Sequence, residues 1–269
     1  MSKARLYRGD CLPFLKTLTD ASCDAVVSDP PFLVDYKNDI YDDSSSQSGE
    51  LVPSWYREWF RVLKDDSYVF LHVGIKNINM WIDCGIEAGF TFKNIIATRA
   101  FNNGSMVANN FAFVMQPILV FSKGGGRKFN KVDFFPTSEE WMKDKRNKDA
   151  KPFTYQYPNF IPTDITYGTE VFGGMSAANA KEKHPNAKNL RLIAFFIEIA
   201  TNEGDTILDP FLGSGTTGVA ALSTDRDFIG CEMNETWFKR SRNRIANANP
   251  LFGGEVVSVG LDTPKDPMV

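Results

Sequence analysis

The sequence has little of what metal centres, disulfide-bonded domains and membrane proteins require. Its 269 residues include two histidines and four cysteines, and the cysteines are far apart with no C-x-x-C spacing. This composition argues against a metal site and a disulfide framework, and it predicts reduced thiols in the cytoplasm. No apolar run approaches the length of a membrane span, and the N-terminus lacks the apolar centre of a signal peptide. The net charge of −3 argues against indiscriminate coating of nucleic acid.

Short strands and amphipathic helices alternate along most of the chain. In residues 1–122, "ARLYRGD", "DAVVSDPP", "SYVFLHV", "NIIATRA" and "QPILVFSK" are typical of strands, whereas "SWYREWFRVLK" and "NINMWIDCGIEAGF" are typical of helices. The same alternation returns in residues 183–249. It predicts an α/β fold with a Rossmann-like, mostly parallel sheet and helices on both faces.

Two segments interrupt this pattern. Residues 123–182 open with three consecutive glycines and carry aromatic residues without periodicity, which predicts an irregular insertion with a function of its own. Residues 123–151 hold nine Lys or Arg against five Asp or Glu, and such a run is either a solvated surface or a basic face. Residues 250–269 are rich in Gly and Pro and are predicted to form a tail.

The first candidate site is "DPPF", residues 29–32, which directly follows a predicted strand. Two prolines remove two backbone donors and fix two φ angles. The resulting corner offers acceptors, the Asp29 carboxylate and nearby carbonyl oxygens, beside the flat face of Phe32. It suits a planar ligand with an amino group, although a simple turn after a strand has the same composition.

The second candidate site is "GSGTTG", residues 213–218, placed between a predicted strand and a predicted helix. Glycines at this spacing let the backbone turn tightly at a helix N-terminus, and Glu232 ends the next strand, where an acid accepts hydrogen bonds from ribose hydroxyls. The arrangement is typical of nucleotide binding, and a nicotinamide-dependent oxidoreductase is one interpretation. However, too few residues follow the glycines to complete a doubly wound sheet, so the remaining strands must come from the N-terminal half.

This order of motifs resembles the β class of amino-directed DNA methyltransferases, in which the catalytic motif precedes the S-adenosylmethionine motif. The resemblance rests on "DPPF" and "DPFLGSGTT", on the opening "YRGDCLPFLKTLTDASCDAVVSDPPF" and on "HPNAKNLRLI". It implies a circularly permuted methyltransferase fold with a catalytic half (1–122), an inserted target-recognition region (123–182) and a cofactor half (183–249). It also implies adenine N6 of a flipped base in double-stranded DNA as the target, with S-adenosylmethionine as cofactor, no metal and a role in restriction-modification.

The resemblance also implies roles for individual residues. Asp29, Pro30, Pro31 and Phe32 form the catalytic corner. The residues expected to bind the cofactor are Asp10 and Cys11 at the adenine, Glu232 at the ribose, Asp209, Phe211, Gly213 and Gly215 at the methionine end, and also Ser214, Thr216 and Lys188. The residues expected to contact DNA phosphates are Arg127, Lys128, Lys131, Lys145 and Arg146.

The chain departs from the family pattern at two places, and several alternatives remain. The family often has Gln-Lys-Pro where this chain has Ala187, Lys188 and Asn189. It also often has Tyr where this chain has Phe32, and Phe retains the stacking face. The first alternative is a cytosine-N4 methyltransferase, although such enzymes more often carry Ser than Asp before Pro-Pro. The others are the NAD(P)-dependent oxidoreductase and a DNA-binding module without catalysis. A homodimer and an origin in a prokaryotic or phage-infected cell are compatible with the resemblance.

Overall fold

A computed structural model of the chain describes residues 2–33, 35, 46, 48–99, 115–132, 188–248 and 255–259. Helices and strands are numbered in chain order within these ranges. The strands are β1 (Lys3–Arg8), β2 (Cys23–Ser28), β3 (Leu63–His72), β4 (Thr91–Arg99), β5 (Met115–Ser122), β6 (Thr206–Asp209), β7 (Asp227–Glu232) and β8 (Glu255–Val259). The helices are α1 (Cys11–Leu15), α2 (Ser48–Val62), α3 (Ile78–Glu87), α4 (Leu190–Ala200), α5 (Thr216–Ser223) and α6 (Glu235–Ala248).

The eight strands form one sheet in the order β4-β5-β3-β2-β6-β7-β1-β8. Neighbouring strands are parallel, except that β5 runs antiparallel to both β3 and β4. The predicted α/β fold with a mostly parallel sheet is therefore confirmed. Helices precede or follow the strands as in βαβ units, which need a crossover to keep successive strands parallel.

Two apolar cores lie on the two faces of the sheet, because successive side chains of a strand point to opposite faces. Val27 and Phe70 pack with α4, α5 and α6 on one face. Val26, Val69 and Leu71 pack with α1, α2 and α3 on the other. These central strands are buried on both faces, as expected for a parallel sheet covered by helices.

The helix boundaries follow local signals in the sequence. The side chains of Asn189 and Asn234 accept hydrogen bonds from backbone N–H groups in the first turns of α4 and α6, so both asparagines act as N-caps. Helix α2 begins at Ser48, several residues earlier than its apolar pattern suggests, with Pro53 inside it.

Strand β8 lies within the predicted tail and pairs with β1. In the described ranges no helix is long and apolar enough to span a membrane.

Gly218 provides a test of the packing between α5 and the sheet. A Cβ atom at this position would lie 2.5 Å from Ile245 Cδ1 and 2.8 Å from Phe228 Cε1, and both neighbours are buried. We expect Gly218→Ala to lower the free energy of unfolding by about 1–3 kcal/mol, since an added methyl group overpacks the core. Urea unfolding measures the change.

The matched control is Gly49→Ala in α2, where an added Cβ would have no atom within 4 Å. Because Ala favours a helix over Gly by about 1 kcal/mol, this control is expected to be neutral or stabilising. Equal unfolding curves for Gly218→Ala and the wild type would contradict the packing described for α5.

Candidate active site

The "DPPF" corner lies where β2 ends, at the edge of the sheet formed by the carboxyl ends of the parallel strands. Pro30 and Pro31 have no backbone N–H, and the Asn77 side chain donates a 2.6 Å hydrogen bond to the Phe32 carbonyl oxygen. The Phe32 side chain lies against Gly74, where a Cβ would come within 3.3 Å of it. Leu33 closes the corner with φ of 54°, a left-handed conformation that is costly for a branched residue. The corner is therefore held in a fixed shape by its neighbours.

The Asp29 carboxylate is paired on one oxygen. Lys188 Nζ lies 2.7 Å from its Oδ2, and the side chains of Lys188 and Asp29 are 14% and 22% exposed. Oδ1 is buried and has no hydrogen-bond donor among the described residues. Burial raises the pKa of Asp29, and the charge of Lys188 opposes that rise. A buried acceptor without a donor costs free energy, which a ligand with an N–H group can recover.

The segment "DPFLGSGTT", which contains the second motif, begins at Asp209, the last residue of β6. Because β6 pairs with β2, its carboxylate reaches the end of β2, where Ser28 Oγ donates a 2.6 Å hydrogen bond to Oδ1. The backbone N–H of Phe211 donates to the same oxygen at 3.1 Å. Burial raises the pKa of Asp209 to about 6 despite these donors. A partly buried carboxylate, Asp29, and a buried one, Asp209, therefore lie at the ends of neighbouring strands.

The glycine loop connects β6 to α5 and is tied to β7. Gly213 and Gly215 have φ of 48° and 78°, values that favour glycine. Glu232 accepts a 2.9 Å hydrogen bond from the Gly213 N–H on one oxygen and a 2.8 Å hydrogen bond from the Asn234 N–H on the other. Burial raises the pKa of Glu232, and the two backbone donors oppose the rise. Glu232 thus fixes the loop and still has acceptor positions for a ligand.

Further residues, not predicted from the sequence, shape the site. Arg244 of α6 donates to the Ser214 carbonyl oxygen and to Thr216 Oγ1 at 3.0 and 2.9 Å, so it holds the loop from behind. Trp55 of α2 contacts the Phe211 ring edge-to-face, with 4.8 Å between the ring centroids. The segment around Trp55 was predicted to be a helix, but no sequence signal indicated that Trp55 lies beside Phe211.

The two motifs meet in one cavity of about 360 Å³. All the predicted catalytic and cofactor-binding residues line it except Gly215, which caps α5 behind the loop. Asp10 lines it while also capping α1 through a 2.9 Å hydrogen bond from the Leu12 N–H. The lining residues that were not predicted are Gly9, Leu33, Leu51, Trp55, Pro210, Leu212, Thr217, Cys231, Met233 and Trp237. The volume falls in the range of small-molecule sites, about 300–1,000 Å³.

The basic residues after β5 lie at the opposite edge of the sheet. Because β5 is antiparallel to β3, its end lies beside the start of β3, where the Arg127 N–H donates to the Asp66 carbonyl oxygen. Arg127 also pairs with Asp205, just before β6, at 3.1 Å. At about 3.3 Å per residue, the six residues of β2 separate this edge from Asp29 by roughly 20 Å.

The structure thus places Arg127, Lys128 and Lys131 away from Asp29, and their contacts with DNA phosphates stay a prediction. Lys145 and Arg146 lie outside the described residues.

Known proteins resemble this chain in both sequence and fold. The family of DNA methylases matches residues 23–243, most of the chain. The chain belongs to this family. It is accordingly an S-adenosylmethionine-dependent DNA methyltransferase.

The relatives within the family are distant. Type II methyltransferase M.BamHI of Bacillus amyloliquefaciens is 29% identical over 260 residues, which cover 94% of this chain and 60% of that relative. This chain therefore spans less than two thirds of the length of M.BamHI. DNA adenine methyltransferase YhdJ of Escherichia coli K12 is 27% identical over 263 residues, covering 94% of this chain and 86% of YhdJ. PvuII DNA methyltransferase, described as cytosine-N4-specific, superposes with a TM-score of 0.66 over 95% of each chain; at 20% identity this shows the fold alone.

The raised pKa of Asp209 predicts a pH-dependent stability. Its folded pKa of about 6 exceeds the ordinary value of 3.8, so the native state binds this proton more tightly than the unfolded chain. The stability contributed by this group is then present at acidic pH and is lost as pH rises through about 6. We expect Asp209→Asn to melt at a higher temperature than the wild type at pH 7.5, with the difference shrinking towards pH 5.

Thermal unfolding without cofactor at the two pH values measures this difference. Asp83→Asn, on the exposed side of α3, is the control for removing a carboxylate from the surface. A stability difference for Asp209→Asn that is the same at both pH values would contradict the assigned cause.

Proposed function

We propose that the protein is a β-class enzyme that uses "DPPF" to methylate N6 of an adenine flipped out of double-stranded DNA. The observation that supports this most directly is the meeting of an acceptor-only corner, Asp29 to Phe32, with the glycine loop in one cavity. The corner suits an amino group, and the loop suits a nucleoside cofactor. Neither motif alone specifies methyl transfer to an amine.

The chemical difficulty lies in the amine, because its lone pair is delocalised into the aromatic ring. In the proposed complex the Asp29 carboxylate and the Pro30 carbonyl each accept one N–H, which draws the nitrogen towards a tetrahedral shape and directs its lone pair outward. The prolines hold these acceptors before the reaction, so little reorganisation is required. The buried, unsatisfied Oδ1 of Asp29 is consistent with a site completed by its substrate.

The residues in the cavity fit S-adenosylmethionine. It supplies an electrophilic methyl group on a positively charged sulfur, which leaves as a neutral thioether. We propose that Glu232 accepts hydrogen bonds from its ribose and that Asp10 and Cys11 lie at its adenine. The residues proposed for its methionine end are Asp209, Phe211, Gly213, Ser214, Gly215 and Thr216. Three buried or partly buried carboxylates, Asp29, Asp209 and Glu232, favour a cationic ligand.

Each bond formed or broken in the transfer is accounted for by the amine, the methyl group and Asp29. The amine nitrogen forms the new N–C bond with its lone pair, and the electron pair of the C–S bond remains on sulfur. The nitrogen then releases one proton along its hydrogen bond to the Asp29 carboxylate, from which the proton passes to water. The product is a secondary amine on the base.

The target base must leave the duplex to reach Asp29, at a cost of a few kcal/mol. Stacking on Phe32 would recover about 1–3 kcal/mol of that cost. The support of the Phe32 carbonyl by Asn77 and the packing of its ring on Gly74 favour this role, because a preordered ring loses less entropy on binding.

We further propose that target recognition belongs to residues 123–182, between a catalytic half (1–122) and a cofactor half (183–249). The described ends of this region support the division. Residue Val132 lies near the amino edge of the sheet, close to Asn130, which bonds the end of α4. Lys188 lies at the carboxyl edge beside Asp29. The two described ends of the region therefore lie at opposite edges of the sheet, and its C-terminal end adjoins the proposed target site. Bacterial relatives favour action in the cytoplasm of a bacterial or phage-infected cell.

Cytosine N4 is the second candidate target, because the same acceptors serve its amino group and the fold matches a cytosine-N4-specific enzyme. Three points favour adenine. In the family that this chain resembles, Asp before Pro-Pro is associated chiefly with adenine, and a purine gains more than a pyrimidine from stacking on Phe32. YhdJ, one of the relatives, is named as an adenine enzyme.

The product distinguishes the two targets. We expect duplex DNA treated with the protein and S-adenosylmethionine to contain N6-methyladenine, confined to one short sequence, without added metal. Nucleoside analysis by mass spectrometry and base-resolution sequencing measure it. N4-methylcytosine as the main product would overturn the base assignment and keep the mechanism, whereas no methylated base would overturn both.

Cofactor binding and catalysis should be separable at Asp29. We expect Asp29→Ala to bind S-adenosylmethionine with near wild-type affinity and to methylate more slowly by about 10²–10³, as when a preorganised polar group is lost. Calorimetric titration and single-turnover rates measure the two effects. Asp209→Ala is the comparison, since Asp209 is proposed to contact the cofactor and its loss should weaken binding. Equal loss of binding and rate in Asp29→Ala would place Asp29 at the cofactor instead.

A further inference from the structure

We propose that Lys188 is a positioning residue for the catalytic carboxylate: its ammonium fixes the Asp29 side chain and keeps it an acceptor for the target amine. This inference rests on the proposed function of Asp29. It also changes the interpretation of Lys188, which the family resemblance places at the cofactor.

The first support is the geometry of the pair. The 2.7 Å contact between Nζ and Oδ2 is a charge-assisted hydrogen bond, and with 14% of the Lys188 side chain exposed it is shielded from solvent. The backbone at Lys188 is also fixed, because the next residue, Asn189, caps α4 through a 3.0 Å hydrogen bond from the Leu192 N–H. The ammonium is therefore delivered to Asp29 from the start of a buried helix.

The second support is the surroundings of Asp29. The pairing of Ser28 with Leu71 places His72 of β3 next to Asp29 in the sheet, and Asp209, at the end of β6 on the other side of β2, accepts a hydrogen bond from Ser28, the residue before Asp29. His72 is 2% exposed, and burial, followed by the charge of Lys188, lowers its pKa, so it is neutral. Asp209 carries the same charge as Asp29. Among the groups described around Asp29, Lys188 is thus the cation that offsets the burial of this carboxylate.

The pair has a direct consequence for catalysis. A protonated Asp29 would present an O–H donor to the amine. It could then no longer both accept the N–H groups before methyl transfer and take up the released proton afterwards. A carboxylate has about four acceptor positions, and Lys188 has donors alone, so the pair leaves positions open for the amine. An ammonium at Asp29 therefore keeps the acid ionised without competing with it for the N–H groups of the base.

Lys188→Met tests this role, because Met retains the length of the side chain without its charge. We expect its affinity for S-adenosylmethionine to stay within about twofold of the wild type, while the single-turnover methylation rate at pH 7 falls on the order of tenfold or more. The acid limb of the rate–pH profile should move to higher pH by about 1–3 units, the shift that an opposite charge produces in a carboxyl group. Lys188→Arg should keep the limb near its wild-type position.

Two further variants separate positioning from general damage. Lys239→Met removes one partner of an exposed ion pair with Glu235 on α6 and should leave rate and profile unchanged. In an Asp29→Ala background, Lys188→Met should slow the remaining reaction by less than about twofold. The effects of the two substitutions are not additive when one residue acts through the other.

Three results would overturn the inference. One is a tenfold or larger loss of S-adenosylmethionine affinity in Lys188→Met with an unmoved acid limb, which would make Lys188 a cofactor ligand. Another is an equal rate loss from Lys188→Met with and without Asp29. The third, no methylated base from the wild type, would overturn the proposed function together with this inference, whereas the first two leave the proposed function intact.

Discussion

The parallel pairing of β2 with β6 is the constraint on which the site depends. Ala25 lies opposite Ile207 and Val26 opposite Leu208, so two segments about 180 residues apart in sequence end side by side. The hydrogen bond from Ser28 to Asp209 fixes the ends of the two strands to each other. The acceptor corner after β2 and the glycine loop after β6 are then forced into the same crevice, which is where open α/β sheets bind ligands. The order of the two motifs along the chain has no effect on this geometry.

The parts of this arrangement that could be predicted from the sequence are those with local signals. Asn189 and Asn234 mark helix starts because their short side chains bond nearby N–H groups. The glycines at 213 and 215 mark a turn that other residues enter with strain. Alternation of strand and helix then leads to a mostly parallel sheet, and such sheets bring the carboxyl ends of their strands to one edge. Thirteen of the predicted residues consequently line one cavity.

The parts that could not be predicted depend on strand direction and on long-range contacts. The basic residues after β5 were predicted to contact DNA from their charge alone, and their position could not be predicted: the antiparallel direction of β5 carries Arg127 to the edge of the sheet away from Asp29. Nothing in the residues of β5 distinguishes the two directions. Trp55 and Arg244 contribute through contacts with residues more than a hundred and about thirty positions away, respectively. Lys188 was expected at the cofactor, and its pairing with Asp29 depends on where α4 begins relative to β2.

The electrostatics of the cavity connect these features to its ligands. Burial raises the pKa of Asp29, Asp209 and Glu232, which means that each would be more stable uncharged or beside a cation. Backbone donors stabilise Glu232, Ser28 stabilises Asp209, and Lys188 stabilises Asp29. These partners reduce the unfavourable free energy of burial without removing it. A cofactor with a positive sulfur, bound as proposed, would be attracted most strongly by the ionised cavity and would lower the pKa of the same carboxylates. The buried acids that lower the stability of the free protein are thus the groups at which a bound ligand would raise it, because a ligand that binds the native state stabilises the fold.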